Sequence, residues 1–156
     1  MKYFTSELWR SLNTDDPRAR DLAFERCDEA FRRYHDYLES IRQRISARRW
    51  RTLMQCHALH DSVIGSITIA HRQRGRQSIV DVRIDLDKKT VLFKDVTRFS
   101  FQTDNQTAFP CGSYSWGYCE FELLETGRMN VSILGDISNQ MELEFGGIEC
   151  RRKPKN

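Results

Sequence analysis

The residues with the most chemical potential crowd into one short stretch: Cys56, His57, His60 and Asp61. A thiol, two imidazoles and a carboxylate are the ingredients of a zinc site or of a nucleophile held by a base and an orienting group. A closed zinc site needs further ligands, which Cys111, Cys119, Cys150, His35 and His71 could supply. None of these is paired at ligand spacing. The expectation is therefore no metal and no cofactor. No G-x-S-x-G or papain-like motif occurs, so no catalytic residue is assigned. An enzyme with an unfamiliar site near His57, His60 and Asp61 stands only as an alternative. The plainer expectation is structural: Asp61 turns the chain into the first strand, and His60 hydrogen-bonds backbone at the join. Gly146-Gly147 precedes no helix, so it is no phosphate cradle.

A second feature is electrostatic. No acidic residue lies between Glu39 and Asp61, whereas Arg42, Arg44, Arg48, Arg49 and Arg51 do, together with Trp50. Such a segment suits nucleic acid or an acidic protein, with Trp50 stacking. It equally suits arginines that flank an apolar stripe and lay their stems over it. Arg42 and Arg49 fall on one side of that stripe and Arg44, Arg48 and Arg51 on the other, which favours the second use. Arg72, Arg74 and Arg76 around Gly75 predict an exposed hairpin turn. The stretch Phe109 to Tyr118 mixes aromatics with small residues and suits recognition or the covering of an open sheet end. Candidate partner-binding residues are Arg44, Arg48, Trp50, Arg51, Tyr114 and Trp116, with His60 and Asp61 marking the junction.

The whole chain sets the frame. Its 156 residues carry a net charge of +3, too mild for a composition given over to nucleic acid. The excess is local: residues 1–60 hold 12 basic and 9 acidic side chains, whereas 61–156 hold 13 of each. The five cysteines are odd in number and contain no C-x-x-C, which predicts free thiols in a reducing cytoplasm. The first residues form no apolar leader, and no run of apolar residues is long enough to span a bilayer, so no membrane partner is expected.

The elements that must hold these residues follow from periodicity. Thr5 or Ser6 caps a short helix over residues 5–13, and Asp15 or Asp16 caps a second with Pro17 at its first position. Phe24, Cys27, Phe31, Tyr34, Leu38, Ile41 and Ile45 form a heptad seam along that second, long helix, which ends near Ser46–Arg51. Trp50, Leu53 and Met54 open another apolar segment. From Asp61 the period is two: Ile67 and Ile69, then Val80 to Leu86, then Val91 and Phe93, Phe99 and Phe101, Cys119 to Leu123, Met129 to Ile133, and Met141 to Phe145. Alternation without intervening helices predicts an antiparallel sheet of about seven strands, with a bulge or kink at Gly146-Gly147.

The start, Met1-Lys2-Tyr3-Phe4-Thr5-Ser6-Glu7-Leu8-Trp9, resembles that of an uncharacterised bacterial family whose members begin M-K-Y-F-T-x-E-L. Phe31-Arg32-Arg33-Tyr34 onward resembles its arginine-rich helix, and Leu59-His60-Asp61 is similar to its L-H-D-A junction. That family is a domain of unknown function, so the resemblance implies a bacterial protein and a two-part layout and transfers no catalytic residue. The junction is also similar to that of some toxin-immunity proteins.

These observations predict an α+β protein: an N-terminal helical arm of one short and one long helix over residues 1–58, packed on an antiparallel β-sandwich or open barrel over 59–152, with a frayed tail at 153–156. The expected function is non-enzymatic binding of another protein, as an immunity-type inhibitor would, or self-association through the heptad seam. The alternatives are nucleic-acid binding through Arg42–Arg51 and the unfamiliar enzyme site.

Overall fold

The structure, a computed structural model, describes residues 1–102, 114–135 and 139–153. Three helices precede the sheet. Helix α1 (Ser6–Leu12) is capped by Thr5, whose hydroxyl accepts the Leu8 N–H at 3.2 Å. Helix α2 (Pro17–Arg42) is capped by Asp16, which accepts the Arg18 N–H at 3.0 Å, with Pro17 at the first helical position. It stops at Arg42, short of the expected Ser46–Arg51. Ser46 is the reason: its hydroxyl accepts the Arg49 N–H at 3.2 Å and so starts helix α3 (Ala47–His57). A serine that can satisfy the orphan donors of a new helix competes with continuing the old one. The expected pair of helices is thus corrected to three.

The seam also moves. Residues buried on α2 are Ala23, Cys27, Ala30, Tyr34, Leu38 and Ile41. Phe24 is 55% exposed and Phe31 39%, although both belong to the heptad pattern. A straight helix drifts about 20° per heptad against a strict seven-residue repeat, so the buried row cannot follow the heptad along its whole length. Over its first half the small side chains of Ala23 and Ala30 take the inner row instead.

The strands are β1 (Ser62–Arg74), β2 (Gln77–Leu86), β3 (Lys89–Gln102), β4 (Tyr114–Trp116), β5 (Tyr118–Leu123), β6 (Met129–Leu134) and β7 (Gln140–Arg152). They form one antiparallel sheet in the order β4-β1-β2-β3-β7-β6-β5, not two sheets of a sandwich and not a closed barrel. The two ends of that order, β4 and β5, are separated in the chain by Gly117 alone. The sheet must therefore curl until its first and last strands meet. Gly117 is required there, since a Cβ would lie 2.2 Å from the Leu134 carbonyl oxygen. The irregularity expected at Gly146-Gly147 falls instead in the facing strand. β7 runs through both glycines, while β3 takes a positive φ at Asp95 and slips register between Val96 and Arg98.

One core spans both parts of the chain. Leu53 and Cys56 of α3 and Tyr34, Leu38 and Ile41 of α2 belong to the same buried cluster as Val82, Ile84, Phe93, Phe121, Val131, Leu143 and Phe145. The border expected near residue 58 separates element types, not hydrophobic cores. The outer edge of β5 is closed by α2: the Tyr34 hydroxyl accepts the Phe121 N–H at 2.6 Å and the Tyr37 hydroxyl accepts the Leu123 N–H at 2.9 Å. Strand amides alternate direction and helix residues three apart share a face, so the two tyrosines meet the two free amides in step. No helix among the described residues is long and apolar enough to cross a membrane.

Candidate functional site

The junction is built by α3 running out at His57 and by the turn that follows. Asp61 takes φ 65°, its N–H bonds the Trp116 carbonyl at 2.9 Å, and the Ser62 N–H bonds the Leu59 carbonyl at 2.9 Å. Asp61 thus turns the chain into β1, tying it to β4 as it does so. His60 does not bond backbone as expected; its Nδ1 lies 2.7 Å from the Asp61 carboxylate, and its ring stands edge-on to Tyr118. His57 lies inside, with Nδ1 3.8 Å from the Cys119 Sγ. Around them, Phe31, Tyr118 and Gly117 complete a cavity of about 390 Å³, and a second of about 490 Å³ continues between α2 and α3 past Phe31, Leu38 and Met54.

The electrostatics of this cavity oppose thiol catalysis. Burial pushes the Cys119 thiol up to about 12, and its Sγ faces the Cys56 carbonyl oxygen at 4.0 Å. Burial, aided by the nearby His60, lowers His57, so its imidazole is neutral at pH 7. A thiolate–imidazolium pair is therefore not the resting form. The carboxylate of Asp61 orients His60 rather than His57, so base and orienter are not in series with the thiol. Among the described residues no group of three or more His, Cys, Asp or Glu is placed to hold a metal ion.

The four described cysteines are free. Two of them meet: the thiols of Cys56 on α3 and Cys150 on β7 hydrogen-bond, which raises Cys56 and brings Cys150 down to about 7. Cys111 lies outside the described residues, with the rest of 103–113, which takes in the first part of the aromatic stretch, and the end of the basic tail.

The arginine segment is largely occupied with holding the fold. Arg49 donates to the Gly146 carbonyl at 2.6 Å and the Gly127 carbonyl at 3.3 Å. Arg42 pairs with Glu39 at 3.2 Å and lies over the Trp50 ring, 5.6 Å from its centroid, so that face of Trp50 is taken. Arg51 reaches back to the Ala47 carbonyl at 3.4 Å. Arg44 and Arg48 remain exposed. The two loop candidates divide. Tyr114 is half-buried, pairs with Ile64 and sets its ring edge-on to Phe101. Trp116 is fully buried and stacks over Phe93 at 6.5 Å, so it is corrected from a recognition residue to a core residue. Its place in a strand beside Gly117 turns it inward.

The feature underweighted in the sequence is the β1–β2 hairpin. β4 pairs with β1 only over Ser62–Ile64, and β3 pairs with β2 only over Val82–Asp85. Beyond these, among the described residues, 70–81 pair only with each other, down to Arg74 opposite Gln77. Gly75 takes φ 62° at the first position of the two-residue turn, as a type II′ hairpin requires. The result is a two-stranded arm about 20 Å long from Ile69 to its tip. Ile69 is 50% exposed, and every residue from Thr68 to Ser78 is exposed. No acidic residue occurs from Ser62 to Val80, whereas Arg72, Arg74 and Arg76 do. Asp81, at the root, takes Arg72 at 2.6 Å and the Asp95 N–H at 2.9 Å. Among the described residues Arg74 and Arg76 have no carboxylate partner. The alternation and the Arg-Gly-Arg turn were visible in the sequence; the absence of a third strand was not.

Fold and site together define a class: an α+β protein with a single curled antiparallel sheet and a protruding basic hairpin. No protein-family model, curated protein or solved structure matches the chain.

Proposed function

We infer that this chain binds nucleic acid through the β1–β2 arm. The observation that carries the reading is the arm itself: among the described residues it is a ribbon free of neighbouring strands, with two guanidinium groups at its tip that have no carboxylate partner, and its sequence holds no carboxylate from Ser62 to Val80. A core gains little from the outer part of such an arm, because every residue from Thr68 to Ser78 is exposed and burial begins only at Ile79, at the root. It does bring cations beyond the body, where phosphates can reach them. The start of α3 is linked to the root of the arm through Arg49 on Gly146 and through Asp95, opposite Gly146, on Asp81. Arg44 and Arg48 supplement the arm rather than form the main surface, which revises the emphasis on Arg42–Arg51. The test is fluorescence anisotropy against random-sequence single strands and duplexes of DNA and RNA over a salt series. At least one of them binds, with affinity falling steeply between 50 and 200 mM salt, as expected for roughly 3–6 neutralised phosphates. Failure of all four at low salt overturns the reading.

A second reading is favoured by one observation. Phe24 and Phe31, seven residues apart on one side of α2, are exposed, and Phe31 forms the lip of the cavities at the helix–sheet join. That apolar face supports docking of a protein partner, as in an immunity-type inhibitor. Phe24→Asp abolishes such a complex in a pull-down while leaving nucleic-acid binding intact.

A further inference from the structure

We propose that the arm takes double-stranded DNA, entering its major groove, and that single strands and double-stranded RNA are poor ligands. This rests on the nucleic-acid reading and names its ligand class.

Three observations carry it. The first is what the arm lacks. Single-strand binders hold successive bases on aromatic faces, at about 1–3 kcal/mol per base. From Ser62 to Leu86 there is no Phe, Tyr or Trp. The aromatic residues sit elsewhere: Phe4, Tyr34, Phe93, Trp116 and Phe121 are buried in the core, and the exposed Phe24, Phe31 and Phe101 lie on α2 and β3.

The second is shape. Two paired strands with no third strand beside them among the described residues form the element that fits the B-DNA major groove, about 12 Å wide. The A-form groove of RNA is deep and narrow and excludes it. The exposed strands remain regularly paired from Ser66–Asp85 to Arg74–Gln77, so the arm stays a ribbon to its tip.

The third is the side-chain set. Cross-strand partners share a face, so Arg74 and Gln77 lie together, with Arg72 one step further in. Gln73 and Ser78 pair on the opposite face. Arginine and glutamine are the residues that read guanine and adenine edges bidentately, and serine can serve either. Arg76 in the turn is left for backbone phosphate. Edge-to-edge pairing of two copies along the open side of β1 is disfavoured by the same residues, since it would bring arginines from both chains together.

The experiment uses the full chain and three labelled probes of one sequence, about 20 base pairs or nucleotides long: duplex DNA, single-stranded DNA and duplex RNA. The expected result is duplex DNA bound at least about tenfold tighter than either of the others at matched salt. Arg76→Ala lowers the slope of log affinity against log salt by about one and weakens duplex binding throughout, whereas Arg74→Ala also relaxes discrimination among duplex sequences. Gln73→Ala/Gln77→Ala leaves that slope unchanged and instead reduces discrimination among duplex sequences. All four positions are exposed, so circular dichroism is expected to report intact folding. Equal or tighter binding of single strands or duplex RNA overturns the duplex assignment while leaving nucleic-acid binding in place. Absence of binding to all three overturns the duplex assignment, and absence of binding to single-stranded RNA as well overturns both.

Discussion

The Tyr34 hydroxyl, on the fifth turn of α2, accepts the backbone N–H of Phe121 at 2.6 Å in the middle of β5. Both groups are buried, and burial pushes the phenol well above the ordinary tyrosine range. A side chain thus does for this strand what a neighbouring strand would otherwise do. Tyr34→Phe leaves the Phe121 amide buried and unpaired, at a cost of about 1–3 kcal/mol. Tyr37→Phe, at the half-buried Leu123 amide, costs less. Urea denaturation of the two variants checks the order, and equal losses would show that the edge is solvated at both positions.

Glu120 is the counterpart on the other face of β5. Its carboxylate accepts the backbone N–H groups of Lys2, Tyr3 and Phe4 at 2.7, 2.7 and 2.5 Å. Glu120→Ala strands three donors at once and is expected to cost more than about 2 kcal/mol, with residues 1–4 becoming protease-sensitive. Glu122→Ala, exposed one register step away, is the control and changes little. Limited proteolysis with mass spectrometry reads the difference.

The root of the arm carries a pH signature. Burial on its own would raise Asp81, but the Arg72 guanidinium and the Asp95 N–H outweigh it and hold the carboxyl below its ordinary value. A carboxyl depressed in the folded state contributes stability that is present above its unfolded pKa, about 3.9, and is lost as pH falls through the folded value. Arg72→Ala therefore lowers the urea midpoint at pH 7, and the gap to the parent protein narrows below about pH 4. A gap that persists unchanged to pH 2 would assign the arginine's role to packing of its stem.

Cys150 is expected to be the most reactive of the described thiols. The Cys56 thiol donates to it and Lys89 lies near, which together bring it down to about 7, while Cys119 is pushed up to about 12. Alkylation by iodoacetamide then rises with pH around 7 at Cys150 and stays slow at Cys119. Cys56→Ala removes the donor and shifts the Cys150 profile to higher pH. Peptide mapping after timed quenching gives both rates.

The fold class was legible because local signals were unambiguous. Asp16 before Pro17 starts α2 where expected, and the alternation after Asp61 gives an antiparallel sheet without intervening helices. The errors arose where a long-range choice decided. Phe24 and Phe31 fit a heptad as well as Ala23 and Ala30 fit the true inner row, and only the neighbouring elements select between them. Glu120 has the pattern of a solvated strand residue, and nothing local foretells that residues 2–4 would bring it their amides. The site was partly legible. His57 and His60 were singled out correctly as neighbours, but their companion Cys119 comes from β5, far along the chain. Trp116 was misread because a glycine-flanked aromatic looks the same in a loop and in a buried edge strand.

Gly117 makes one stretch of chain serve as both rims of the sheet, with its Cα hydrogen pressed toward the Leu134 carbonyl. Neither rim can therefore peel away alone: loosening β4 from β1 pulls on β5, and with it on the tyrosines of α2. Amide exchange at Val63, which pairs with Ser115 of the first strand in the order, and at Leu123 of the last is accordingly expected to proceed as one cooperative event, with the outer arm exchanging freely on its own clock.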